Sequence, residues 1–229
     1  MNRKSRGRLL DRSASLLAYE QIKGKILQNQ LDSKKLLDEK IFSEELNISR
    51  TPIREALIML EKEGLVTREE GRGFHVKQFR MKDIQDLYEF REVVETGIAH
   101  EIISRLTDEK IKPLSQILDQ VQSVIKKGDP AVIIPKSFEF HNKFIELREN
   151  SVINDVMRNC HEKILQISWS CKEQASSPQD YQEHRKILSA LQSRDVKKLQ
   201  TTIREHISSS QENAINIMKN NMERLYFFP

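Results

Sequence analysis

Three of the six histidines fall on stripes of apolar side chains, where an imidazole needs a partner. His141 lies among Phe140, Phe144 and Ser137; His184 shares a face with Tyr181, Leu188 and Leu191; His206 shares one with Leu199, Ile203 and Ser210. One such residue is ordinarily a satisfied core histidine. Three in one helical stretch point to convergence on a metal, because neutral imidazole is a favoured ligand for zinc and similar ions. A charged pair is misplaced in the same way. Arg91 and Glu95 project from the middle of the stripe made by Ile84, Leu87, Tyr88, Ile98 and Ile102. Two readings are open: an intrahelical i,i+4 ion pair, or a Glu95 that orients Arg91 so that its guanidinium fork meets the carboxylate of a small ligand.

A second chemistry sits near the other end. Arg50 and Arg54 stand one helical turn apart with Thr51 beside them. A guanidinium matches guanine O6 and N7 bidentately, so this pair suits reading a DNA base edge. The competing reading is a pair of surface ion pairs with Glu55 or Glu61. Cys160 and Cys171 form no disulfide framework and no CxxC motif. They fall with Ile153, Val156, Met157, Ile164 and Ile167 on one stripe and read as buried structural thiols, while Trp169 points off it and suits an interface.

The elements that must hold these residues are helical. Seven Gly and six Pro in 229 residues leave long uninterrupted helical periods. No stretch approaches the roughly 18 apolar residues of a membrane span. Arg3, Lys4, Arg6, Arg8 and Arg12 lead into no secretory apolar stretch, so a cytoplasmic protein is expected. Residues 1–80 hold 17 Lys and Arg against 12 Asp and Glu, whereas residues 81–229 hold 21 against 22. A polyanion therefore belongs with the N-terminal part.

Leu16, Tyr19, Ile22 and Ile26 mark a first helix. Asp38 caps a second that ends at Asn47, a residue tolerant of the left-handed conformation. Ser49 caps a third with Pro52 in its first turn, and its buried face is Ile53, Ala56, Leu57 and Leu60. Gly64 stops it. Residues 65–67 and 74–76 then read as two strands around a Gly-rich tip, 69–73. That order is a winged helix-turn-helix. Residues 81–224 show only helical periods, with breaks at Thr107-Asp108, Gly128-Asp129-Pro130, Ser176-Ser177-Pro178 and Ser193-Arg194-Asp195, which gives six or seven helices.

The stretch LDEKIFSEELNISRTPIREALIMLEKEGLVTREEGRGFHV, residues 37–76, resembles the DNA-binding domain of the GntR family of bacterial transcription regulators. SRTPIREAL, EGLV and GRGF match in order and spacing, and Asn47 stands where the family usually has Gly. The resemblance implies base contacts by Arg50 and Arg54, backbone contacts by Lys40 and Thr51, and minor-groove contacts by Gly71 and Arg72. DLYEFREVVE, the FH at 140–141 with EN at 149–150, and EHRKILSALQSRDVKKLQTTIREHI resemble the FCD effector-binding domain of the FadR-type branch. Many members hold a divalent metal with one Asp and three His. His141, His184 and His206 take the three His positions, but Ser137 stands at the usual Asp position. Glu139 does not replace it, lying on the opposite side of the helix from His141.

The expectation is a mainly α protein: a basic flexible tail over 1–12, a winged helix-turn-helix domain over 13–79, and an all-α helical-bundle effector-binding and dimerisation domain over 80–229. Its function would be a ligand-responsive regulator, a repressor more than an activator, that binds a pseudo-palindromic double-stranded DNA operator as a homodimer. A small carboxylate metabolite is the expected effector, read at Arg91 and Glu95, with zinc, nickel or manganese as the metal; a metal-free anion pocket and a vestigial site remain open. The rival readings are a DNA-binding dimer with a non-sensing helical scaffold and a three-His metal-dependent hydrolase.

Overall fold

The structure is a computed structural model that describes residues 3–125, 129–170 and 178–227, with side chains described over 13–125, 129–169 and 178–219. It divides into two compact units, Met1–Gln78 and Phe79–Pro229.

In the first unit α1 (Arg3–Leu27), α2 (Glu39–Leu46) and α3 (Arg50–Glu63) precede β1 (Val66–Glu69) and β2 (Gly73–Val76). The helix α1 includes residues 3–12, so the segment expected as a flexible tail is helical backbone from Arg3 onward. Its Arg, Lys and Leu content suits a helix, and no proline interrupts it. Asp38 accepts a hydrogen bond from the Lys40 amide at 2.7 Å and so caps α2. Asn47 ends α2 in the left-handed region at φ 53°, and Gly64 ends α3 at φ 76°. Ser49 occupies the N-cap position of α3, yet its hydroxyl makes no capping bond. The strands pair antiparallel from Val66 opposite Val76 to Glu69 opposite Gly73. The segment before α2 joins their edge, the Leu37 amide donating to Phe74 O at 2.8 Å.

The core of this unit is one apolar cluster. α1 and α2 both pack on α3, closing Ile22, Phe42, Ile53, Leu57 and Leu60 away from water. Each such side chain contributes about 1.5–3 kcal/mol of transfer free energy. Burying that stripe turns the other side of α3, with Arg50 and Arg54, to solvent.

The second unit has seven helices among the described residues: α4 (Met81–Gly97), α5 (Ala99–Ser104), α6 (Asp108–Ile125), α7 (Pro130–Glu146), α8 (Ser151–Ser170), α9 (Pro178–Gln192) and α10 (Val196–Phe227). The stripe from Ile84 to Ile102 is divided, since Ile98 interrupts the helix between α4 and α5. A further break separates α7 from α8, where Glu149 takes φ 55°. α4 packs on α8 and α10, α7 on α6 and α8, and α9 on α6 and α10. None of the helices is long and apolar enough to cross a membrane, among the described residues.

Two expectations on α8 change. Val156 is 50% exposed instead of joining the buried stripe. Trp169 packs, partly buried, against the core instead of standing free of it. Cys160 is a buried thiol whose pKa burial pushes up to about 11, whereas Cys171 and the side chains of the C-terminal LYFFP lie outside the described residues.

Candidate functional site

The helices of the second unit bring His141 from α7, His184 from α9 and His206 from α10 together. All three are buried. Their Nε2 atoms face one another, His141 at 2.8 Å from His184 and at 3.1 Å from His206. This trio has the spacing of a metal-ligand group. A neutral ring carries one N–H and one lone pair, so the outer partners of the Nδ1 atoms decide what the centre offers. His206 Nδ1 is 3.0 Å from Glu183 Oε2, and His184 Nδ1 is 3.5 Å from Asp180 Oδ2.

Arg91 and Glu95 meet the same cluster from α4. They are 2% and 1% exposed, and Arg91 Nε donates to Glu95 Oε1 at 2.5 Å. The intrahelical pair is therefore present. The fork is also engaged, because Arg91 Nη2 lies 2.9 Å from His141 Nδ1 and 2.7 Å from its Nε2. His161 on α8 completes the network, with Nε2 3.2 Å from Glu95 Oε1 and Nδ1 2.7 Å from Asn142 Oδ1. Glu95 Oε2 is a buried oxygen without a hydrogen-bond partner, 3.7 Å from His141 Nδ1.

Electrostatics follow from this burial. Desolvation opposes the Glu95 charge, but Arg91, His141 and His161 together outweigh it and hold the carboxyl well below its ordinary range. Burial, reinforced by Arg91, keeps His141 neutral well below the imidazole range. Burial and the neighbouring His206 and His141 do the same for His184. Burial raises Asp180, while hydrogen bonding to His206 lowers Glu183 against its desolvation.

The donor set fits a divalent metal. If Nε2 of His141 is a ligand, its proton must sit on Nδ1, and that tautomer offers the orphaned Glu95 Oε2 its missing donor. One group stands in the way: the Arg91 guanidinium occupies the His141 lone pair and must draw back. The partly open cavity beside these groups, bordered by Arg91, Ser137, His141, Asp180, His184 and His206, is about 50 Å³. It is a small space, with room for groups of a few atoms.

Ser137, at the position expected to carry Asp, donates through Oγ to Asp180 Oδ2 at 3.1 Å. Glu139 turns away and pairs with Lys136 at 2.7 Å. The sequence reading passed over His161, Asp180 and Glu183. His161 shares the face of Met157 and Ile164, a signal of the kind that singled out the other three rings. Asp180 stands one turn before His184, as Ser137 does before His141.

In the first unit Lys40, Arg50, Thr51, Arg54, Gly71 and Arg72 are all exposed. Arg54 Nε donates to Glu39 Oε1 at 2.8 Å, a partner other than Glu55 or Glu61. Lys40 lies 3.8 Å from Glu44, and Arg72 3.4 Å from Glu69. Gly71 takes φ 73° at the wing tip with open space around it.

A winged helix-turn-helix followed by an all-α unit with a buried polar cluster defines the class: a winged-helix transcription regulator with a helical second domain. Residues 15–76 match the bacterial regulatory proteins of the gntR family, and residues 86–209 match the FCD domain. The chain belongs to the GntR family of transcription regulators, with an FCD domain after its helix-turn-helix domain, and is not an enzyme. It is 25% identical over 188 residues to the HTH-type transcriptional repressor RspR of Escherichia coli K12, covering 82% of each chain. A GntR regulator from Rhodococcus sp. RHA1 has the same fold, with a TM-score of 0.81, 19% identity, and coverage of 89% of this chain and 98% of that one. Escherichia coli McbR/YncC aligns at a TM-score of 0.76 and 18% identity, over 91% and 98% of the two chains.

Proposed function

We propose that this regulator is a cytoplasmic, ligand-responsive repressor that binds a pseudo-palindromic operator as a homodimer, and whose effector is a small carboxylate received beside a three-histidine metal centre. The observation that carries the reading is the convergence of three Nε2 atoms on one point with the Arg91 guanidinium at its edge. A divalent metal held by His141, His184 and His206 would act as a Lewis acid toward a ligand oxygen. Arg91 supplies a charged fork for a carboxylate, and Glu95 with His161 holds that fork in place. The 50 Å³ cavity favours a ligand of a few heavy atoms, or the end of a longer one.

Sensing requires that the carboxylate bind one arrangement of the dimer better than the other. One winged domain spans one half-site, so specific binding calls for two copies. Exposed Phe90 and Val93 on α4, with Val152 and Val156 on α8, support an apolar surface for the second copy on helices that already pack together. Kinship with RspR, itself named a repressor, supports repression. Base reading belongs to Arg50 and Arg54, backbone contacts to Lys40 and Thr51, and the wing to Gly71 and Arg72.

The test is a thermal-shift screen of protein purified without a His-tag, with zinc, nickel or manganese and a panel of small carboxylates. A sensor gains stability with metal and gains more with its effector. The effector then releases the protein from its operator in a gel-shift titration. If no metal or carboxylate moves the midpoint, the helical domain is a scaffold without a sensing role.

A further inference from the structure

The ligand position one turn before His141 carries a hydroxyl, yet the cluster is not short of anions. Asp180 stands one turn before His184 on α9, the same relation to its histidine that position 137 has to His141. The two are joined, Ser137 Oγ donating to Asp180 Oδ2 at 3.1 Å. That carboxylate does not face the point where the Nε2 atoms meet. Its oxygens face the outer edges of the rings, Oδ2 at 3.5 Å from His184 Nδ1 and Oδ1 at 4.0 Å from His206 Nδ1. Glu183 Oε2 is nearer still to His206 Nδ1, at 3.0 Å. Glu95 Oε2 stands 3.7 Å from His141 Nδ1. Each of the three rings therefore has a carboxylate at its Nδ1 edge and the other two rings toward its Nε2 edge.

This arrangement favours one tautomer. Glu183, at hydrogen-bond distance, accepts the His206 Nδ1 proton, and the negative charges of Asp180 and Glu95, 3.5 and 3.7 Å from Nδ1 of His184 and His141, favour a proton on those nitrogens too, which leaves the lone pairs on Nε2. Lone pairs aimed at one another at 2.8 and 3.1 Å repel unless a donor or a cation lies between them. Arg91 provides such a donor to His141 alone. The rings of His184 and His206 depend on something further.

We propose that Asp180 makes up, from outside the ligand set, for the carboxylate missing at position 137. It acts as a positioning residue: it holds His184 by Nδ1, steadies His206 together with Glu183, and fixes Ser137 by accepting its hydroxyl. The metal then has three neutral nitrogen ligands and no protein carboxylate. Its full charge and one extra coordination position are left for a small oxyanion, which makes this a more strongly anion-seeking centre than one with an Asp ligand. The proposal rests on the metal reading above and goes further, to which residue replaces the lost acid and by what route.

Metal-free protein, purified without a His-tag, is titrated with zinc against a chelator and, in parallel, with cobalt(II) read by its visible spectrum, with and without acetate as the probe anion. Wild type is expected to bind one ion per chain, and its cobalt spectrum to change when acetate is added. Asp180→Asn, nearly the same shape, should lower zinc affinity about 10- to 100-fold while the far-ultraviolet dichroism stays unchanged. Ser137→Asp in the Asp180→Asn background should recover that affinity and blunt the acetate response, a rescue that a purely structural role for Asp180 would not give. Asp180→Glu, which keeps the charge, should stay within a few-fold of wild type and serves as the measurement if the Asn variant does not fold. Zinc binding by wild type with unchanged affinity in Asp180→Asn overturns this proposal and leaves the metal reading standing. Absence of zinc and cobalt binding by wild type overturns both.

Discussion

Arg54 donates its Nε hydrogen to Glu39 Oε1 across 2.8 Å, so the second turn of α3 is tied to the first turn of α2 through one guanidinium. The bond uses the inner edge of the fork and leaves the two terminal nitrogens for a bidentate acceptor such as guanine O6 and N7. Arg54 is exposed and Glu39 half-buried, and a pair with one partner in solvent adds little to stability, so we assign it an orienting effect.

Two variants separate orientation from charge. Arg54→Ala should weaken binding to an operator selected from a randomised pool by about 5- to 150-fold and relax preference at one base pair. Glu39→Gln removes a negative charge from the DNA-facing side but also frees the fork. It should strengthen binding to scrambled DNA while narrowing the ratio of operator to scrambled affinity. Fluorescence anisotropy at one fixed salt concentration measures both, and an unchanged ratio in Glu39→Gln would remove the orienting role.

The wing gives a stability prediction. Gly71 and Gly73 both take positive φ, 73° and 90°, but their surroundings differ. A Cβ at position 71 meets open space, so Gly71→Ala should cost about 1 kcal/mol from backbone strain alone. At position 73 the added carbon lies 2.7 Å from Leu36 Cδ1, and Gly73→Ala should cost more. Leu36→Ala in the same chain should recover the excess. Calorimetry on the three variants reads the order, and equal losses at 71 and 73 would show that Leu36 simply moves aside.

What the sequence disclosed and what it hid follow from the range of the interactions. Asn47 and Gly64 were legible because a left-handed helix end is a local event set by one residue. The faces of α3 and the three converging rings were legible because helical period sorts residues by face. The break at Ile98 was not, since Ile98 and Ile102 stay buried on both sides of it and the apolar phase runs through unbroken. Asp180 was hidden for a different reason. Its link to Ser137 joins residues 43 apart on two helices, and no spacing within one helix reports a carboxylate that has changed helix. Val156 misled in the opposite sense, as an apolar residue on the expected stripe that is nonetheless exposed.

Acid should destabilise the second unit. His141, His184 and His161 all have folded pKa values depressed by burial, whereas in the unfolded chain they take up protons near pH 6.5. Their contribution is fully present above that pH and is lost as pH falls through it toward the folded values, at about 1.4 kcal/mol per pH unit for each ring. Asp180 has the opposite sign: its folded pKa is raised above 3.8, so its proton stabilises the fold at the acid end and offsets part of the loss there. Urea melts of the metal-free protein between pH 7.5 and 5 test the sum, with stability expected to fall as the pH drops below about 6.5. A flat profile would mean that these rings are protonated, or exposed to water, in the folded state.

On the proposed reading, Arg91 links the metal and the carboxylate. With its Nη2 at 2.7 Å from His141 Nε2, the guanidinium and a metal ion compete for one lone pair, and both are positive. A carboxylate that draws the fork away from His141 therefore favours the metal, and by reciprocity the metal favours the carboxylate by the same factor. Such couplings are typically about 5- to 150-fold. The measurement is calorimetric titration of zinc with and without a saturating effector. Arg91→Met, which keeps the bulk of the stem, should raise zinc affinity in the absence of effector and abolish the coupling. It should also destabilise the metal-free protein by about 3–5 kcal/mol, because Glu95 is left buried without its counter-ion. Adding Glu95→Gln to that variant should return most of the stability without restoring the coupling. If zinc affinity is the same with and without effector in wild type, Arg91 is only the partner of Glu95, and the pocket responds to each ligand independently.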